Sequence, residues 1–231
     1  MSLIVLSINW ITLYLLGILL GCLYCFHRIT RTIQIEGLEK IKPYEKGVIL
    51  VGNHPSLFIT GLSPFFLFPI FLVKPWLIPR VTPKHEWFYK WWYILFRVIS
   101  IPVNNPGKGS EFKRAVTASR FIKILKKGRI IIFFAEGTRT FKAAAAGRVI
   151  YSNNGKMMGV LEGGAALIAI ASGATIVPVW SNEKCKRLPM PWNFPIKIRI
   201  GDSLFFGRET SPEDATQQLT QALLTLADQT K

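Results

Sequence analysis

Gly47-Val48-Ile49-Leu50-Val51-Gly52 and Arg129-Ile130-Ile131-Ile132-Phe133-Phe134 are the two most strand-like stretches of the chain. Neither alternates polar with apolar residues. A continuous Val/Ile/Leu run closed by glycine or a charge is what a strand covered on both faces requires. Each run leads directly into a short polar segment: Asn53-His54-Pro55-Ser56 after the first, Glu136-Gly137-Thr138-Arg139 after the second.

Around these runs the pattern alternates between periods. Thr32 to Glu36 reads as a short strand closed by Gly37. Glu111 to Lys127 reads as an amphipathic helix, with Phe112, Ala115, Val116, Ile122 and Leu125 at spacings near 3.6 and Gly128 at its end. Gly163 to Ser172 is Ala-rich and helical in pattern, with Gly173 as its stop. Thr175 to Trp180 is another strand, in which Pro178 implies a strand end or a local irregularity. Lys197-Ile198-Arg199-Ile200 alternates. Ser211-Pro212-x-Asp214 starts a terminal helix with a cap, a proline at N1 and an acidic first turn; Ala215, Leu219, Leu223 and Leu226 form its apolar line. Strands alternating with helices predict an α/β fold, a mixed sheet flanked by helices. Ala143 to Ala146 suits either a loop or a helix.

The composition points to a membrane surface. Half of the 231 residues are hydrophobic and the formal net charge is +16; the mean hydropathy is +0.30. Well-placed Lys and Arg side chains gain about 1 kcal/mol each at an anionic leaflet. Nucleic acid also attracts such charge, but no stacking platform or reading helix accompanies it, so no nucleic-acid partner is expected. Cys22 and Cys25 have the spacing of a metal or redox pair, yet they lie inside an apolar run, and Cys185 is isolated from them. No metal site and no disulfide framework are expected.

From Leu3 to Phe26 the chain carries no charged residue. As one helix it would extend about 36 Å at 1.5 Å per residue, against a hydrocarbon core of about 30 Å. His27, Arg28 and Arg31 follow, which places what comes next on the cytoplasmic face. Residues 1–31 are therefore expected to be a membrane anchor and residues 32–231 an α/β domain. Beyond the first strand run, Leu57 to Val73 is apolar and interrupted by Pro64 and Pro69. Glu86 to Phe96 carries Trp87, Phe88, Tyr89, Trp91, Trp92 and Tyr93, which suits a core or a membrane boundary equally.

Two segments carry chemistry. His54, placed where a buried strand ends, is a possible proton acceptor facing a cleft, although an isolated histidine is more often structural. In Glu136-Gly137-Thr138-Arg139, Gly137 permits close approach, Thr138 and the turn amides donate hydrogen bonds, and Arg139 can grip a phosphate bidentately. Glu136 can hold that turn by accepting local hydrogen bonds. Alone, the segment also reads as an ordinary capped turn.

Taken together, Asn53-His54, a weaker Lys84-x-Glu86, Phe134-Ala135-Glu136-Gly137-Thr138-Arg139 and Ile176-Val177-Pro178-Val179 resemble, in order, the motif blocks of the glycerolipid acyltransferase family of the 1-acylglycerol-3-phosphate acyltransferase type. The resemblance spans roughly residues 32 to 200. It implies acyl transfer to the free hydroxyl of a lysophospholipid, giving phosphatidic acid. It makes His54 the general base, and Lys84, Glu136, Gly137, Thr138 and Arg139 the acceptor-binding residues. The donor would be acyl-CoA or acyl-carrier protein, with no further cofactor and no metal. Its partners would be membrane lipids, the lysophospholipid acceptor and that donor.

The chain departs from the family pattern at named positions. Asp in the family's His-x4-Asp falls at Ile59, Ala135 stands where proline is usual, and Val103 is followed by Asn104 and Asn105 rather than arginine. Ile59 predicts impaired turnover, and Glu86 and Glu162 are the candidates for supplying a substitute carboxylate. The alternative is a catalytically silent lipid-binding homologue.

Overall fold

A computed structural model describes residues 22, 29–30, 33–41, 47–54, 80–81, 110–182 and 195–230. The anchor expected over residues 1–31 falls almost wholly outside this set, as do Leu57 to Val73, the aromatic run from Glu86 to Phe96, Ile59 and Lys84. Among the described residues, no helix is long and apolar enough to cross a membrane.

The core is a six-stranded mixed sheet. Its strands are β1 (Ile33–Glu36), β2 (Val48–Gly52), β3 (Arg80–Val81), β4 (Ile130–Phe133), β7 (Thr175–Ser181) and β8 (Ile196–Ile200), in spatial order β1-β8-β7-β2-β4-β3. β2 lies at the centre, parallel to β7 on one side and to β4 on the other. Within this sheet, among the described residues, only the β7–β8 pair is antiparallel. A separate hairpin joins β5 (Val149–Tyr151) to β6 (Met157–Gly159). Among the described residues the α-helices are α1 (Ser110–Leu125), α2 (Thr140–Ala145), α3 (Gly164–Ser172) and α4 (Pro212–Gln229).

The unbroken apolar runs become strands buried on both faces. Every residue of β2 is buried. Ile49 and Val51 pack with Ile131, Ile176 and the buried faces of α1, α3 and α4. Their alternates Val48 and Leu50 join Ile130, Ile132, Val177, Ile200 and Ile41 on the opposite face. That two-sided burial is why no period of two is visible in the sequence. β8, by contrast, buries Ile196, Ile198 and Ile200 and leaves Lys197 and Arg199 between them half-buried, as its alternation predicts. α4 begins as its sequence dictates: the Ser211 hydroxyl accepts from the Asp214 amide at 3.0 Å, and Ala215, Leu219, Leu223 and Leu226 are buried.

Pro178 differs from expectation, because β7 continues through it to Ser181. Its carbonyl accepts from the Gly201 amide at 2.8 Å, on the β8 side. A strand residue points its N–H and C=O to the same side. The missing N–H of Pro178 therefore falls where β8 pairing, which covers only Val179 to Ser181, has already stopped. No ladder bond to β2 is lost.

Candidate active site

The carboxyl ends of β2, β4 and β7 open at one rim of the sheet. In the strand order, β3, the next strand after β2, lies on the β4 side, whereas β8, the next after β7, lies on the other side. Such a switch point is where open α/β sheets form binding crevices. Asn53-His54 follows β2, and Glu136-Gly-Thr-Arg139 follows β4. Of the six buried polar or charged residues among those described, Asn53, Glu136, Thr140 and Ser181 all lie here. Buried polar groups are tolerated where they are bonded and positioned for a purpose.

Asn53 fastens the end of β2. Its side-chain amide donates to the Ser181 carbonyl at 2.9 Å, and its Oδ1 accepts from the Ser181 amide at 2.8 Å. The side chain thus replaces one more step of backbone pairing beside β7.

Glu136 fastens the other side. Its carboxylate is 1% exposed. One oxygen accepts from the His54 amide at 2.7 Å and the other from the Gly159 amide at 2.8 Å. The Thr140 hydroxyl lies within 3.0 Å of the first oxygen and 2.8 Å of the second. The Thr140 amide, in turn, donates to the His54 carbonyl at 2.9 Å. His54 is consequently held through both of its backbone groups by the segment that carries Arg139. Burial raises the Glu136 carboxyl above its usual range, while the His54 amide, the Thr140 hydroxyl and the Gly159 amide act in the opposite direction.

Two glycines make this arrangement possible. A Cβ on Gly159 would lie 2.5 Å from Glu136 Oε2 and 3.0 Å from the Ala143 methyl carbon. Gly137 has φ 65°, and a Cβ there would lie 2.2 Å from Glu162 Oε1. A side chain at either position would displace the carboxylate that the turn is built against.

The His54 ring lies 4.6 Å from the Phe134 ring, tilted by 32°. Arg139 is half-buried, with its guanidinium carbon 5.0 Å from the centre of the Phe141 ring. Thr138 is half-buried beside it.

The sequence-predicted residues therefore separate into two groups. His54, Gly137, Thr138 and Arg139 share one rim. Glu136 joins them, but with both oxygens turned inward onto protein donors, which is its turn-holding role. Glu162 packs its carboxylate against Gly137. Lys84 and Glu86 lie outside the described residues. Sequence reasoning missed Thr140, Gly159 and Ser181, and named Phe134 only within a motif block. Of these, only Thr140 carried a local signal, standing four residues after Glu136 and so able to reach back to it.

The fold and the family are shared with known proteins. The crystal structure of the 1-acyl-sn-glycerophosphate (LPA) acyltransferase PlsC from Thermotoga maritima superposes with a TM-score of 0.59 at 18% identity. The match covers 85% of this chain and 71% of that one, which shows a shared fold. A family model for Acyltransferase matches residues 32–182, from just before β1 through the end of β7. By that match, which takes in His54, the Glu136–Arg139 turn and most of the 231 residues, the chain belongs to the Acyltransferase family.

Proposed function

We propose that the protein transfers a fatty acyl group from a thioester, acyl-CoA or acyl-carrier protein, to the free hydroxyl of a lysophospholipid built on 1-acyl-glycerol-3-phosphate. With the simplest such acceptor the product is phosphatidic acid. The observation that carries this reading is the Glu136 clamp, which holds the His54 backbone to the turn bearing Arg139. A base and a phosphate grip thereby occupy one rigid frame, as two-substrate chemistry requires.

In this mechanism the imidazole of His54 takes the acceptor's hydroxyl proton as that oxygen attacks the thioester carbonyl. The C–O bond forms, the C–S bond breaks, and the proton passes to the departing thiolate. Arg139, with the Thr138 amide and Lys84, holds the acceptor phosphate, while the Gly137 amide donates to the Phe134 carbonyl at 3.3 Å and closes the turn. Glu136 acts as a positioning residue. Residues 1–31 and the net positive charge would keep the domain on the cytoplasmic face of a membrane, where both lipids reside.

Ile59 supports a second reading, a silent lipid-binding homologue, because an isoleucine cannot orient the imidazole. In serine proteases, amidating the orienting carboxylate costs about 10⁴ in rate, or ~5.5 kcal/mol of barrier. The test compares wild type, His54→Ala and Ile59→Asp for acyl transfer in bilayers with both donors. Product from wild type that disappears with His54→Ala supports the enzyme. Product from Ile59→Asp alone identifies a scaffold disabled at one position. Lipid binding without product from any of the three supports the silent homologue.

A further inference from the structure

The turn that carries Arg139 has a second charged neighbour of opposite sign. The Glu162 amide donates to the Ala135 carbonyl at 2.7 Å, which fixes Glu162 beside the start of the turn. Its carboxylate then lies in contact with Gly137: a Cβ built there would fall 2.2 Å from Oε1 and 2.9 Å from Oε2. The residue is exposed on the same rim. Among the described residues neither Glu162 nor Arg139 has an ion-pair partner. The turn therefore carries a cation at Arg139 and, against Gly137 two residues before it, the carboxylate of Glu162.

A site built only for a phosphate dianion gains from cations and turn amides, and a carboxylate beside that anion opposes it. The opposition reverses when the phosphate bears a positively charged substituent. Arg139 then faces the phosphate while Glu162 faces the cation, and the half-buried guanidinium and the exposed carboxylate each meet an opposite charge. The same carboxylate discriminates against the phosphate-only acceptor, since like-charge juxtaposition is the usual means of rejecting a close analogue.

We propose that Glu162 makes the acceptor site bipolar, so that the preferred lysophospholipid carries an amine on its phosphate. This inference rests on the acyltransferase reading above and names the acceptor class within it.

The experiment measures transfer by the full chain in phosphatidylcholine vesicles, with 1-acyl-glycerol-3-phosphate and 1-acyl-glycero-3-phosphoethanolamine as competing acceptors. Wild type, Glu162→Gln and Glu162→Lys are compared after their unfolding midpoints have been matched. The expected result is at least a tenfold preference of wild type for the amine-bearing acceptor in kcat/KM. Glu162→Gln should abolish that preference through KM of the amine-bearing acceptor, and Glu162→Lys should reverse it. A wild-type preference for the phosphate-only acceptor, unchanged in Glu162→Gln, would overturn this inference while leaving the acyltransferase reading intact. If wild type transfers to neither acceptor, the acyltransferase reading fails, and equilibrium binding of the same two lysolipids decides the headgroup question separately. A binding ratio that collapses in Glu162→Gln supports the bipolar site; an unmoved ratio overturns it.

Discussion

The amide of His54 donates to the Glu136 carboxylate at 2.7 Å, joining residues 82 positions apart in sequence. The bond is made by backbone, so it fixes where the histidine stands without consuming either ring nitrogen. Glu136 is buried and bonded on both oxygens, which makes it the residue on which the frame of the site depends.

Glu136→Ala leaves the amides of His54 and Gly159 without their acceptor in a buried setting. Each such orphan costs about 1–3 kcal/mol. The expected outcome is a loss of about 3 kcal/mol in denaturant unfolding. A drop in kcat of about 10²-fold should accompany it, the scale associated with misplacing a catalytic group by about 1 Å. A variant as stable as wild type would show that the clamp is incidental.

The same carboxylate leaves a signature in pH. Its folded-state pKa is raised, so between the ordinary glutamate range and that raised value the folded state holds more protons than the unfolded one. Stability from this group is therefore fully present below the ordinary range and is lost as pH rises through the folded value. The stability margin of wild type over Glu136→Gln should shrink from pH 4 to pH 8, with other groups cancelling in the difference. A margin that widens across that range would mean that the three donors outweigh burial.

Gly159→Ala tests the packing behind the clamp. The added methyl would sit 2.5 Å from Glu136 Oε2 and 3.0 Å from the Ala143 methyl carbon, and the clamped carboxylate cannot yield without losing its donors. Overpacking of this kind costs about 1–3 kcal/mol. Thermal unfolding of the variant should show a clear fall in midpoint, where Gly155→Ala, with open space around its Cα, changes mainly turn strain at φ 72°.

Arg139→Lys keeps the charge and removes the planar fork. If Arg139 grips the acceptor phosphate bidentately, the KM for the acceptor should rise about tenfold, corresponding to about 1.4 kcal/mol, while the KM for the thioester donor stays fixed. Equal changes in both would place Arg139 elsewhere in the cycle.

Much of the frame was legible because its signals are local. β2 and β4 announce themselves as unbroken Val/Ile/Leu runs, and α4 by Ser211, Pro212 and the line from Ala215 to Leu226. The β5–β6 hairpin was not legible. Val149-Ile150-Tyr151 and Met157-Met158-Gly159 are three residues each and carry no period. Pro178 misled because the rule against proline in strands depends on where the neighbouring strand stops, and that is a property of β8. At the site, His54 and the Glu136–Arg139 turn were visible as chemistry. That Glu136 faces inward was not, since two of its donors, His54 and Gly159, come from 82 and 23 residues away.

The central claim is that His54 takes the acceptor proton in a thioester-to-hydroxyl acyl transfer. It is tested most directly by single-turnover acyl transfer in bilayers, comparing wild type with His54→Ala at equal folded concentration. Loss of a general base should lower the chemical step by about 10²–10⁴-fold, with lysolipid binding unchanged. A His54→Ala protein that transfers acyl groups at the wild-type rate would contradict the account.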